Sequence, residues 1–295
     1  MSDHAKGLAL TALGGLTLTV DIPLIRLAGG DNWSILLLRT GTTLISALVI
    51  WAVWRSLSSR TPQLIPGRPG LVVAALYGFG SVAFITAVYN TSTANLVFIL
   101  AFNTMFAALL SWIFLKERPK PATLLAMSVM ILGVLIIVWD SIGTGQMFGN
   151  LLALTSAFCI ASAITVSRAS GREMGFTSLI GVAFPFLVAA VMVSKGGLNV
   201  SAPWWIIFNG AVIMPISFFC LANGPKYLSS PEVAMFYLLE TVLAPIWVWM
   251  IFAEVPSRNS LIGGTILIVA LIAHSLWQLH AGRRRTAALA VRHPA

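Results

Sequence analysis

Glu240 is a carboxyl set among apolar residues in the run Phe236-Tyr237-Leu238-Leu239-Glu240. On a helix Phe236 and Tyr237, four and three residues earlier, share its face. Such a group can pair with a substrate amine, carry a proton, or simply bridge two helices. Asn95 and Asn103 are eight residues apart, about two helical turns, and also share a face. Two amides there can read a carboxylate or an ammonium, or bridge neighbouring helices. Tyr77, Phe79 and Phe84, with Trp204, Trp205, Phe218 and Phe219, offer aromatic walls, although aromatics in such segments also pack or face lipid. Asp21 has Arg26 and Arg39 as basic neighbours, which suits a structural ion pair at a gate better than a substrate site. Gly78 and Gly80 bracket Phe79 as a thin wall suited to gating. Pro185, Pro215 and Pro245 interrupt apolar runs and favour kinks, and Pro245 joins the gating candidates.

Chemistry of other kinds finds little support. His4, His274, His280 and His293 are scattered, and neither His-Glu-x-x-His nor Gly-x-Ser-x-Gly occurs. His274 alone reads as a hydrogen-bonded packing residue. No Gly-x-x-x-x-Gly-Lys-Ser/Thr is present, so ATP hydrolysis is not expected. Cys159 and Cys220 each sit in an apolar run as buried thiols. No metal or other cofactor is implied, and an enzyme is disfavoured. A receptor or scaffold would be expected to carry a soluble domain, whereas the loops here are short and the tail after Leu279 is a basic stub.

The elements that must position these residues follow from composition. Residues are 58% hydrophobic and 9% charged, against roughly 25% charged in soluble domains. Most of the chain therefore meets lipid. About 20 apolar residues span a hydrocarbon core, and ten segments qualify: Gly7–Leu27, Trp33–Trp54, Gly70–Asn90, Thr93–Leu115, Pro121–Trp139, Phe148–Ser167, Phe176–Ser194, Pro203–Asn223, Pro231–Ala253 and Ser260–Leu279. Ser230-Pro231-Glu232 reads as a helix start. Met1 to Ala5 is too short for a cleavable leader, so the first span is expected to be a retained anchor. Ala153, Ala157 and Ala161 form a small-residue stripe for close packing. Trp33, Trp51, Trp54, Trp139, Trp204 and Trp277 lie near span ends and fit an interfacial belt.

The net charge of +9 comes from 18 basic and 9 acidic residues. With the N-terminus inside, fourteen of the basic residues fall on the cytoplasmic side, and Arg26, Arg39, Lys195 and Arg258 on the other. This asymmetry places both termini in the cytoplasm. The basic balance is thus a topology signal, and nucleic-acid binding is set aside.

The two halves repeat. At a shift of 137 residues Thr104, Ala107, Trp112, Glu117, Pro119 and Leu124 match Thr241, Ala244, Trp249, Glu254, Pro256 and Leu261. Five spans per half make the second copy enter the membrane from the opposite side. The expected fold is an all-α integral membrane protein, with ten transmembrane helices in two inverted five-helix repeats around a central cavity. Residues 1–145 form the first repeat, and 146–295 the second with its basic tail. Inverted halves can exchange conformations, which is alternating access about a midplane site. Asn103 and Glu240 are counterparts in this alignment, so the copies differ there.

Arg39 early in span two, the Glu117-x-Pro119 and Glu254-x-Pro256 turns, and Gly149-Asn150-Leu151-Leu152-Ala153-Leu154 together resemble the drug/metabolite transporter superfamily. The resemblance is to its ten-helix EamA-type members and covers nearly the whole chain. A glycine often follows the first turn by several residues; here it is Ala126, with Gly263 in the second copy. The resemblance implies a basket-shaped bundle in the bacterial inner membrane, exporting a small-molecule substrate such as an aromatic or other neutral amino acid. The lipid bilayer is its medium, and protons or the substrate gradient would drive it. Under this reading Glu240, Tyr237, Phe236, Asn103, Asn95, Tyr77 and Phe79 are substrate candidates, and Asp21, Arg39, Gly78, Gly80 and Pro245 gating candidates.

Overall fold

A computed structural model describes residues 3–57, 63–116, 118, 121–140, 142, 145–172, 174–223 and 230–292. The side chains of residues 3, 4, 140, 222, 223, 230–235, 237, 238, 275 and 278–292 lie outside that description. So do Glu117 and Pro119 of the first repeated turn and the side chain of Tyr237. Among the described residues the regular structure is helical. Spans 2, 3, 5 and 6 are single helices, Asn32–Leu57, Gly67–Asn90, Pro121–Asp140 and Met147–Ser170. Spans 9 and 10 are Ser230–Phe252 and Arg258–Arg292. Among the described residues eight spans are long and apolar enough to cross a membrane, and the apolar parts described for the last two, Leu239–Phe252 and Arg258–His274, are shorter. Large apolar side chains such as Leu125, Leu187 and Met250 are exposed around the outside, where lipid would cover them.

Four spans are broken in mid-course, each for a local reason. Span 1 is Asp3–Leu18 and Asp21–Ala28. At its break the Thr17 and Thr19 hydroxyls bond to the carbonyls of Leu13 and Leu16, competing with the helical ladder. Span 4 is Thr93–Leu100 and Asn103–Leu115, and tightened bonds such as Phe102 N–H to the Ile99 carbonyl turn the chain between them. Span 7 is Gly175–Ile180 and Ala183–Gly196, so Pro185 sits in the first turn of the second piece, where a proline is accommodated. Span 8 is Pro203–Phe208, a π-helical Asn209–Ile213, and Met214–Asn223. Pro215 is the second residue of the helix that follows the π segment. Pro245, by contrast, lies within the unbroken helix of span 9.

Packing repeats between the halves. Span 3 lies along span 6, and span 1 along span 8; span 4 meets span 6, and span 1 meets span 9. Adding five to each span number converts one set of pairs into the other. Spans 2 and 7, 4 and 9, and 5 and 10 pair across the exchange axis. The contacts follow suit. A Cβ on Gly80 of span 3 would lie 3.2 Å from Cys159 of span 6, and one on Gly14 of span 1 would lie 2.8 Å from Cys220 of span 8. Both thiols are buried and free. Ala153, Ala157 and Ala161 are fully buried, and span 6 packs there against span 3. Lipid gives little drive to associate helices, so such small residues, which let backbones approach, carry much of the association.

The loop between spans 1 and 2 is also fixed. Asp31 accepts from the Trp33 and Ser34 N–H groups and the Ser34 hydroxyl at 3.0, 3.1 and 2.6 Å. Burial pushes its carboxyl up, but these bonds from Ser34 and Trp33 outweigh that and hold it below the ordinary value. The Ser34 hydroxyl accepts in turn from the Asn199 N–H, which ties this loop to the one between spans 7 and 8.

Spans 5 and 10 cross at Gly133 and Gly263, where a Cβ on either would sit 2.8 or 2.6 Å from the other's carbonyl oxygen. Gly133→Leu should therefore wedge the pair apart and destabilise the protein by about 1–3 kcal/mol, seen as a lower thermal midpoint in detergent. An unchanged midpoint would show that this crossing is not close packed.

Candidate functional site

Two of the irregularities converge on one buried knot. The break in span 1 starts a new helix at Asp21, and Arg39 extends from span 2 to meet it, Nη2 to Oδ2 at 2.8 Å. The π segment of span 8 begins at Asn209, whose amide brackets the pair. Its Nδ2 donates to Asp21 Oδ1 at 2.7 Å and to the Asp21 carbonyl at 3.2 Å, and its Oδ1 accepts from Arg39 Nε at 3.2 Å. The three residues are 2%, 6% and 0% exposed. Arg39 Nη2 also lies 2.8 Å from Met214 Sδ, and the guanidinium sits over the Phe84 ring, 5.6 Å from its centroid. Gly210 packs so closely on the Arg39 carbonyl and Thr42 that no side chain fits, which holds the π segment against span 2. The carboxylate and guanidinium neutralise each other, and Asn209 satisfies atoms that the pair alone leaves open.

Asp21 and Arg39 thus meet as an ion pair, while Arg26 pairs elsewhere. Asn209 escaped the sequence reading. Its available signal was a buriable amide at mid-depth in span 8, next to a glycine.

Glu240 lies deep in span 9 within electrostatic range of both Asp21 and Arg39, yet it remains part-exposed. It therefore keeps some surface that a small molecule could reach. Phe236 shares its face, and the backbone and Cβ of Phe236 press on Gly15 of span 1. Tyr77 of span 3 meets Phe218 of span 8 edge to face, centroids 5.9 Å apart. Ser81, one turn beyond Tyr77 on the way to Phe84, has a buried hydroxyl with no hydrogen-bond partner. Span 3 thus presents Tyr77, Ser81 and Phe84 on one inward face.

Phe79 lies about half a turn round span 3 from that face. Its ring is 56% exposed and pairs with the exposed Phe184, which puts it on the outside of the bundle. Gly78 and Gly80 lie in an unbroken helix, against Gly181 and Cys159 respectively; they serve close packing rather than forming a thin wall. The turn at Ala101 and Phe102 separates Asn103 from Asn95. Asn95 bridges helices: its Nδ2 donates to Gln146 Oε1 at 3.1 Å, and its Oδ1 accepts from the Ser260 hydroxyl at 2.5 Å. Asn103 is part-exposed, and its side chain makes no hydrogen bond among the described residues. His274 is hydrogen-bonded to Thr123 and stacked on Trp277. Among the described residues no cluster of His, Cys, Asp or Glu could hold a metal.

The second repeated turn closes one face of the bundle. Glu254 Oε2 accepts from Arg26 Nη1 at 2.5 Å, and its Oε1 accepts from the Thr93 N–H at 2.8 Å. One carboxylate thereby joins the ends of spans 1, 4 and 9 and also caps the first helix of span 4. Thr91 donates to Asn150 Oδ1 at 2.6 Å, and Arg26 Nη2 reaches the Thr91 carbonyl at 3.5 Å. Gly30 and Val200 form a bridge on the same face.

Comparisons with known proteins agree with this architecture. The profile of the EamA-like transporter family matches residues 5–139 and again 147–276. The chain is 26% identical over 235 residues to the uncharacterized transporter YdfC of Bacillus subtilis, covering 75% of each protein. It is 24% identical over 281 residues to the pseudopaline exporter CntI of Pseudomonas aeruginosa, covering 92% of this chain and 96% of that one. A solved crystal structure, 15% identical, matches with a TM-score of 0.63 over 94% of this chain and 97% of the other. That likeness bears on the fold alone.

The knot makes a stability prediction. Arg39→Gln should leave Asp21 as an uncompensated buried charge and destabilise by about 3–5 kcal/mol. The charge-balanced pair Asp21→Asn with Arg39→Gln should cost clearly less than the single change. Thermal unfolding in detergent measures both, and equal or additive losses would show that the two charges act independently.

Proposed function

The chain belongs to the EamA-like transporter family, and we propose that it exports small amphipathic metabolites, most simply amino acids, by alternating access. It is a multi-pass membrane transporter of a small-molecule substrate. The observation that carries the finer reading is Glu240, a part-exposed carboxyl deep in the bundle, on one face with Phe236 and near the Asp21–Arg39 pair. Charged groups inside a membrane bundle are costly and usually mark a substrate or ion pathway. Here an acidic group, an ion pair and aromatic rings come from spans 1, 2, 3, 8 and 9, a combination suited to a zwitterion with an apolar side chain. Tyr77 and Phe218 would flank that side chain, and Asn103 would add an amide. Export accords with the name of the Pseudomonas relative, and pseudopaline belongs in any substrate panel.

The two halves supply the motion. With the termini in the cytoplasm of a bacterial inner membrane, as the positive residues indicate, the face sealed by Arg26, Glu254 and Thr93 is the outer one. Its ties are hydrogen bonds and an ion pair rather than packed apolar contacts, so they can break and re-form, and exchange of conformation between the halves would open one face as the other closes. Each ligand would shift the balance only by its difference in affinity for the two states.

Flux in proteoliposomes with a panel of amino acids, each with and without a proton gradient, tests this reading. Flux of at least one neutral amino acid is expected, and none for any would sink the amino-acid assignment. If Glu240 carries the coupling proton, Glu240→Gln should abolish stimulation by a pH gradient and spare exchange at equal pH. Stimulation that survives the change removes Glu240 from that role.

A further inference from the structure

We infer that Arg39 is the receptor for a carboxylate of the transported molecule, with Asp21 and Asn209 as positioning residues that hold its guanidinium in place. The inference rests on the proposed transport function and names the chemistry of one pole of its site.

The geometry leaves one edge of the guanidinium free. Nε is taken by Asn209, and Nη2 by Asp21 and Met214. Nη1 makes no hydrogen bond among the described residues, and it is not among the fully buried atoms lacking a partner. The small remaining exposure of Arg39, 8% of its side chain, therefore includes that edge. An unmet charged donor is expensive away from water, and no acceptor among the described residues meets this edge. The two N–H groups of Nη1 stay available.

The mounting is rigid in every direction that matters for recognition. Asn209 grips both members of the ion pair, the Phe84 ring lies under the guanidinium, and Gly210 locks the backbone of span 8 to the Arg39 carbonyl. A π segment is a rare and less favourable helix form that concentrates at functional sites, and here it begins at the residue that orients the pair. Guanidinium binds carboxylate by directed, charge-assisted hydrogen bonds. Glu240 lies within electrostatic range of Arg39, so a carboxylate on Nη1 would leave an ammonium on the same molecule within the field of an acidic group. One end of a zwitterion thus has a fixed receptor, and the other an acidic one.

The test uses the purified full-length protein in lipid nanodiscs. Calorimetric titration compares four probes with the same ring: phenylalanine, phenylalaninamide, phenethylamine and 3-phenylpropionate. The expected result is binding of phenylalanine about tenfold or more tighter than of its amide, the discrimination that one charge-assisted contact supplies. In Asn209→Ala, and in the charge-balanced Asp21→Asn with Arg39→Gln protein, that preference should collapse toward unity while phenethylamine binding persists. A change in this ratio separates positioning from mere stability, since a general loss of fold weakens all probes alike. Equal binding of phenylalanine and its amide by the native protein overturns the inference and leaves amine recognition, and hence transport, standing. Binding of 3-phenylpropionate that needs Arg39, without binding of phenylalanine, upholds the receptor and overturns the amino-acid reading instead. A preference that survives in both variants, or no binding of either carboxylate probe, overturns the inference.

Discussion

Inside a bilayer there is no water to complete a hydrogen bond, so every polar group in the bundle needs a partner within the protein. Arg39 poses the hardest case, as a permanent cation 6% exposed among apolar helices. Much of the irregular backbone nearby follows from meeting it. Span 1 breaks to begin a helix at Asp21, span 8 winds one π turn from Asn209, and Gly210 allows the backbones to touch. Replacing these features by straight helices would move the carboxylate or the amide away from the guanidinium. A buried ion pair is weak support for stability, since desolvation offsets most of its attraction. Its presence fits better with a demand for fixed charge at that depth.

The second constraint is that lipid barely favours helix association, which leaves close packing as the main adhesive. The chain uses the same solution twice. Gly80 receives Cys159 where span 3 meets span 6, and Gly14 receives Cys220 where span 1 meets span 8. These pairs are exchanged when the halves are exchanged. The knot is not so evenly shared: Asp21 and Arg39 come from the first half and Asn209 from the second. The scaffold therefore keeps the near-symmetry that a rocking motion requires, while the charged centre departs from it.

Glu254 shows how a repeated turn acquires a specific task. Its carboxylate caps span 4 at Thr93 and grips Arg26 of span 1, so that a single side chain closes three span ends. These contacts are polar, part-exposed and few, unlike the dry contact of Gly133 with Gly263. Close packing at the span 5 and span 10 crossing, with polar ties at the face, is a division suited to the proposed mechanism, in which the halves would move without separating.

Much of the fold was legible in the sequence, because membrane spans declare themselves by length and hydropathy, and the Glu254-x-Pro256 turn by repetition. The ion pair of Asp21 and Arg39 was legible too, since two opposite charges in adjacent apolar spans have few alternatives. Other features depended on rotation and depth, which composition does not encode. Phe79 reads like Tyr77 in one dimension, yet it lies half a turn away and faces outward. Asn95 and Asn103 share a face on a straight helix, and the turn at Ala101 separates them. Asn209 was one amide among many until a π segment aimed it at a carboxylate and a guanidinium together. The sequence alone determined which segments enter the membrane and which charges must find partners there. Only the tertiary structure decided which partners those are, because hydrogen bonds between spans depend on breaks and rotations set by packing against helices distant in the chain.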